Sequence, residues 1–322
     1  MRRITVMTII LWTLAVGLSC TTLVAAEAKP KYRVILNTDI GDDIDDVFAL
    51  ALLARSPEVK LEAVVTTIGD QPAKAALVRR LLDLAGLQNV PVYCGLAGKY
   101  PGRKLGQMEW GRGYNSSGVI GQDGIDELVR RAKEARGKLT LVSIGPLNNL
   151  GAALEQDPDF GRNLREIVLM GGSVYHGYGR EAQSAEFNIE CDRKASQMVF
   201  ASGAKLLVVP LDSTYRQRVS ADQLTQLAQS QTPIAQALTE LVRLWHTDPW
   251  IRARQRPTLY DVRTVAVLLN AELAGAQPLR LEVSAAGFTN VIPGEPNCRV
   301  VLEPKQGLLM KLAWERYLAV IR

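Results

Sequence analysis

From Lys31 onward the chain alternates short apolar runs with stretches whose apolar residues recur at helical spacing, and this alternation limits the fold more than any other feature. Runs at 32–38, 61–67, 91–95, 138–144, 166–171 and 205–211 are short and rich in Val, Ile and Leu, and read as strands. Between them, 47–54, 72–87, 147–155 and 195–202 carry the period of helices. Strand–helix–strand units set successive strands parallel, and a parallel sheet must be covered on both faces. The expected fold is α/β: a single domain whose mostly parallel central sheet, open and of the Rossmann type, is flanked by helices. A β-sandwich would show strands about every 8–12 residues without such helices. Further on, 220–255 reads as helical, 256–270 as a polar turn entering a buried helix, 299–303 as a strand and 305–320 as a closing helix. Residues 96–123, Gly-rich and polar, read as a long loop over the carboxyl edge of the sheet.

With 322 residues, 47% of them hydrophobic and 22% charged, the chain has ample material for one core and no sign of disorder. The net charge of +5 comes from scattered basic residues with no aromatic-interleaved stripe, which argues against nucleic acid as a partner. Arg2 and Arg3 precede an apolar stretch from Ile4 to Leu18, and Val24, Ala25 and Ala26 suit signal-peptidase cleavage. Residues 1–26 therefore read as a secretory signal, leaving 27–322 as an exported domain, periplasmic or secreted, with no stable membrane association. A lipoprotein site at Cys20 is the lesser option, because Gly17 stands where an aliphatic residue is wanted. Cys94, Cys191 and Cys298 show no metal-type spacing and read as small buried residues.

The first strand ends in YRVILNTDIGDDIDDVFAL (32–50), which places Asp39, Asp42, Asp43, Asp45 and Asp46 within eight positions at a strand-to-helix turn. Ligands of open α/β sheets bind at that edge. Crowded carboxylates raise one another's pKa unless a cation neutralises them, and hard oxygen ligands suit Ca²⁺ or Mg²⁺. A solvated acidic loop with Asp43 or Asp45 capping the helix is the plainer alternative. Asp261 opens the helix of 256–270, where it is either a dipole partner or a distant ligand of the same cation.

NTDIGDDIDDVFALALL resembles the acidic N-terminal signature of the inosine-uridine preferring nucleoside hydrolases, calcium-dependent nucleoside N-ribohydrolases. LTLVSIGPLNNLGAAL (139–154), IVLMGG (167–172), AEFNIECD (185–192) and LYDVRTVAVLL (259–269) resemble later blocks of the family in the same order. The resemblance implies hydrolysis of the N-glycosidic bond of a nucleoside or related N-riboside, with Ca²⁺ as cofactor. It assigns Asp39 as metal ligand and general base, Asp46 and Asp261 as metal ligands, and Ile144 as the donor of a backbone carbonyl. It also implies that Asp45, Met170, Glu186 and Asn188 bind or line the ribose. Relatives are often homo-oligomers.

The chain departs from the pattern at several points. Asn37 replaces an Asp, Ile40 a Pro, and two extra residues precede Asp45, which leaves Asp43 as an alternative ligand. Tyr260 stands where many members have a His that protonates the leaving base and is assigned as the catalytic proton donor there; a phenol of reference pKa about 10 can donate a proton at neutral pH but is a weaker acid than imidazolium. His176 and His246 are the only histidines. Asp70 takes the place of an Asn. Arg180, near a sugar-contacting position, would suit an anionic riboside or simply be an exposed loop residue. Trp245, His246 and Trp250 would stack on a base or pack in the core. A non-catalytic riboside-binding protein is the competing expectation. An aspartyl-nucleophile phosphatase is disfavoured, since its nucleophile would be Asn37.

Overall fold

The strands run β1 (Tyr32–Thr38), β2 (Val59–Thr66), β3 (Val92–Cys94), β4 (Ile120–Gly121), β5 (Leu139–Ser143), β6 (Glu166–Met170), β7 (Leu206–Val209), β8 (Ala276–Leu279), β9 (Leu281–Val283), β10 (Thr289–Val291) and β11 (Cys298–Val301). This computed structural model describes residues 29–103, 106–252, 256–302 and 306–320. The expected signal segment and Cys20 lie outside the described residues, as do the side chains of Arg180 and Trp250. Nine strands form one sheet in the order β4-β3-β2-β1-β5-β6-β7-β11-β8, parallel except for the β11–β8 pair, while β9 and β10 form a separate hairpin. The expected α/β architecture with a mostly parallel central sheet is what the chain adopts.

Strand order reverses between β1 and β5. From β1 the chain winds outward to β4; it then crosses back to β5 and winds outward to β7 on the other side. A crevice forms at the carboxyl ends of the two strands where the winding switches. The acidic turn leaves β1 there, and Ile144 follows β5 at the same edge, since Asn37 is in register with Ser143.

The strands are legible because both faces are buried. Val34 and Leu36 enter the core on one face with helices α1 (Asp45–Ala54) and α2 (Gln71–Leu84), whereas Ile35 enters the opposite core with Leu139 and Leu141. On the first face the helix Gln306–Leu318 clamps α1: Phe48 packs on Trp314 and Tyr317, and the Tyr317 hydroxyl donates to the Phe48 carbonyl at 2.8 Å. That contact holds the helix whose first turn carries Asp45 and Asp46. No helix of the described residues is long and apolar enough to cross a membrane.

The structure differs from expectation in local elements. In place of the expected helical stretch 220–255, the described residues up to 252 hold three helices, Ala221–Gln229, Pro233–Trp245 and Pro249–Arg252, broken where Thr232 caps a Pro-initiated helix and again before Pro249. The 96–123 segment contains the short helix Met108–Gly111 and the edge strand β4. An unexpected helix spans Gly124–Ala135, and β8, β9 and β10 were absent from the strand pattern. Cys94, Cys191 and Cys298 are all free thiols, two of them buried.

Candidate metal and ribose site

The turn after β1 is built by local hydrogen bonds. The Thr38 hydroxyl accepts from the Ile40 N–H and donates to Asp46, tying the strand end to the first turn of α1. Gly41 has φ +99°, and a Cβ there would lie 2.3 Å from Met108 Sδ, so the turn requires glycine. Across the crevice, a Cβ on Gly145 would lie 2.7 Å from both Asp39 N and Oδ1, so the chain after β5 passes directly against the Asp39 carboxylate.

All nine residues assigned in the sequence line one cavity of about 370 Å³: the five acids Asp39, Asp45, Asp46, Asp261 and Glu186, with Asn188, Met170, Ile144 and Tyr260. One carboxylate oxygen from each of Asp45, Asp46 and Asp261 lies within 4.8 Å of the others. The Asp261 N–H, at the start of the helix Tyr260–Leu269, also donates to Asp45 Oδ2 at 3.3 Å. Asp43 also lines the cavity, and its Oδ1 accepts from Trp245 Nε1 and from the Ile44 N–H, both at 2.8 Å. The residues expected to bind ribose interlock. Asn188 donates through Nδ2 to the carbonyls of Ile144 and Met170, each at 3.1 Å, and Glu186 accepts from the N–H groups of Gly172, Asn188 and Ile189.

Burial sets the electrostatics. It pushes the Asp39 carboxyl up to about 7, against the opposing pull of Lys74, and pushes Asp45 to about 8 with Asp43 adding to the effect. Asp46 and Asp261 are held well above the usual carboxylate range by burial and by neighbouring aspartates. Glu186 rises to about 7 through burial, although three backbone N–H groups favour its ionised form. Against this cluster stands Lys74, fully buried, 3.0 Å from Asp42 and donating to the Asp39 carbonyl at 2.7 Å. Lys74, even with Arg103 at the cavity wall, does not neutralise the buried carboxylates of Asp39, Asp42, Asp45, Asp46, Glu186 and Asp261. Among the described residues Asp42 Oδ2 is itself buried without a hydrogen-bond partner. The donor set is all hard oxygen, and it fits a divalent cation such as Ca²⁺ or Mg²⁺.

Lys74 went unnoticed in the sequence because a Lys on an amphipathic helix usually faces solvent; the acidic turn's excess charge was the available signal. Asn37 does not touch the carboxylates. Its amide donates to Ser143 Oγ and accepts from Asn149 Nδ2, a dual role that an ionised Asp could not fill. Asp70 caps α2 through the Ala73 N–H and stands outside the cavity.

A sequence profile of the family described as inosine-uridine preferring nucleoside hydrolases matches residues 34–309. The chain belongs to this nucleoside hydrolase family. A pyrimidine-specific ribonucleoside hydrolase of Shewanella woodyi is 31% identical over 274 residues, covering 79% of this chain and 84% of the relative. A probable uridine nucleosidase of Arabidopsis thaliana is 31% identical over 227 residues, covering 66% and 70%. A plant nucleoside hydrolase structure superposes with a TM-score of 0.78 at 25% identity, covering 90% of this chain and all of the other. As a member of the nucleoside hydrolases the protein is an enzyme of ribonucleoside hydrolysis, and a non-catalytic riboside-binding role is not favoured.

Proposed function

We propose that the protein is a Ca²⁺-dependent ribonucleoside hydrolase that releases free base and ribose, with uridine as the first substrate to test because the curated relatives named above are pyrimidine-directed. The observation that carries this reading is the buried cluster of carboxylates, too many for Lys74 to neutralise, facing Glu186 and Asn188 across one cavity. Asp39, Asp46 and Asp261 would hold the cation together with the Ile144 carbonyl. When bound, Ca²⁺ supplies the positive charge that keeps these acids ionised and makes a coordinated water more acidic.

Asp39 takes the proton of the attacking water. Asp45, Glu186 and Asn188 hold ribose hydroxyls and fix C1′ before the water, which removes much of the entropic part of the barrier. As the glycosidic bond lengthens the sugar gains oxocarbenium character, and the surrounding carboxylates stabilise its positive charge. Tyr260 stands on the leaving-group side, next to Tyr178 with ring centroids 6.4 Å apart.

The test is reducing-sugar release from uridine, inosine and nicotinamide riboside by the purified protein with Ca²⁺. Release from at least one is expected; substrate binding without turnover would sink the proposal. Export through residues 1–26 belongs to the same reading and rests on the charged and apolar pattern of that segment.

A further inference from the structure

A second cavity, of about 210 Å³, shares Asp43, Tyr178 and Tyr260 with the acidic cavity, so the two adjoin. Its other walls carry the opposite charge, from Arg218 and Arg256, beside Trp245 and Thr258. A short antiparallel bridge explains how arginines distant in sequence come together. Arg218 pairs with Thr258, fixed by the Val219 N–H to the Pro257 carbonyl at 2.9 Å and the Leu259 N–H to the Gln217 carbonyl at 2.7 Å. Arg256, Thr258 and Tyr260 line the same cavity as Arg218, while Val219 and Leu259, next to the bridged pair, are buried in the core. Both arginines are exposed, and among the described residues neither guanidinium has a hydrogen bond or salt bridge.

Cleavage of an N-glycosidic bond separates charge: the sugar carbon becomes electron-poor and the base nitrogen leaves with the bonding pair. The acidic cavity matches the first half of that dipole, and the adjoining basic cavity matches the second. Neither His176 nor His246 lines either cavity. We propose that the second cavity is the leaving-group subsite, and that Arg218 and Arg256 donate hydrogen bonds to the carbonyl oxygens of a departing oxo-base such as uracil. Planar guanidinium forks suit those oxygens, and their charge strengthens the bond as negative charge develops. In the step, the C1′–N pair goes to the base, water oxygen bonds to C1′, the water proton goes to Asp39, the base anion takes a proton from solvent, and Asp39 returns its proton to solvent. The sum is nucleoside plus water giving ribose plus neutral base.

This inference rests on the ribonucleoside hydrolase reading, and two substrates separate the failures. Uridine needs its leaving group stabilised, whereas 4-nitrophenyl riboside carries a leaving group stable as an anion. For Arg218→Ala and Arg256→Ala, kcat/KM with uridine is expected to fall about 10- to 100-fold, mostly in kcat, and with the nitrophenyl riboside by no more than about threefold. The double variant should fall further, and Arg218→Lys should be intermediate. Equal losses on both substrates, or none on uridine, would overturn the assignment, as would weakened uridine 5′-phosphate binding with normal uridine turnover. A parent enzyme that cleaves neither substrate would overturn the hydrolase reading itself.

Discussion

Lys74 and Asp42 form the contact whose loss isolates a charge most completely. Lys74→Met leaves Asp42 buried beside Asp39 without its cation, and removing one member of a buried pair costs about 3–5 kcal/mol. Urea unfolding should show that loss for Lys74→Met, and a smaller one for the double change Asp42→Asn with Lys74→Met, which removes both charges. Asp39→Ala should abolish turnover and weaken Ca²⁺ binding measured by calorimetry, whereas Asn37→Ala should mainly loosen the joint to Ser143 and Asn149 and keep measurable activity. Wild-type turnover in Asp39→Ala would refute its role as base. At this scale the acids, Glu186 and Asn188 were legible because their blocks stand in a recognisable order. Arg218 was not, because its place beside the site depends on a bridge to Thr258, which lies far along the chain.

At the scale of elements, the turn between β1 and α1 is fixed by steric fit as much as by charge. Gly41→Ala forces a residue at φ +99° and drives its Cβ into Met108. The expected cost is on the order of 1–3 kcal/mol, with weaker Ca²⁺ affinity, and Met108→Ala in the same chain should relieve the clash but not the backbone strain. Thermal melts of the two single changes and the double check this; additivity would show that the clash contributes nothing. The six principal strands were readable because parallel strands buried on both faces leave continuous apolar runs. β8, β9 and β10 were not, being three or four residues long, each with an exposed residue, and with Pro278 inside β8. The helix Gly124–Ala135 was hidden by its solvent face, where Arg130 pairs with Glu127 and Glu134.

For the whole molecule, the buried acids tie folding to pH and to the cation. Asp39 and Glu186 at about 7 and Asp45 at about 8 lie above the ordinary carboxylate range of about 4. Between about pH 4 and 8 the metal-free native state therefore holds more protons than the unfolded chain, and stability falls as pH rises through that window. Chelator-treated protein should melt at a lower temperature at pH 8 than at pH 5. Added Ca²⁺ should raise the melting temperature more at pH 8, with protons released on binding; saturation at 100 times the Kd corresponds to about 2.7 kcal/mol. A metal-free melting temperature that rises from pH 5 to pH 8 would refute this coupling.

The hydrogen bond from Trp245 to Asp43 also makes the enzyme its own optical gauge. That indole is almost fully buried and lines the cavity beside Arg218 and Arg256, while its N–H is held by a carboxylate of the acidic turn. A base arriving on one side, or a cation drawing on the turn from the other, changes the field across the ring. Emission from Trp245 should shift with each event separately, so that stopped-flow fluorescence without any added dye resolves cation entry, substrate entry and base departure in order, and Trp245→Phe should abolish the signal.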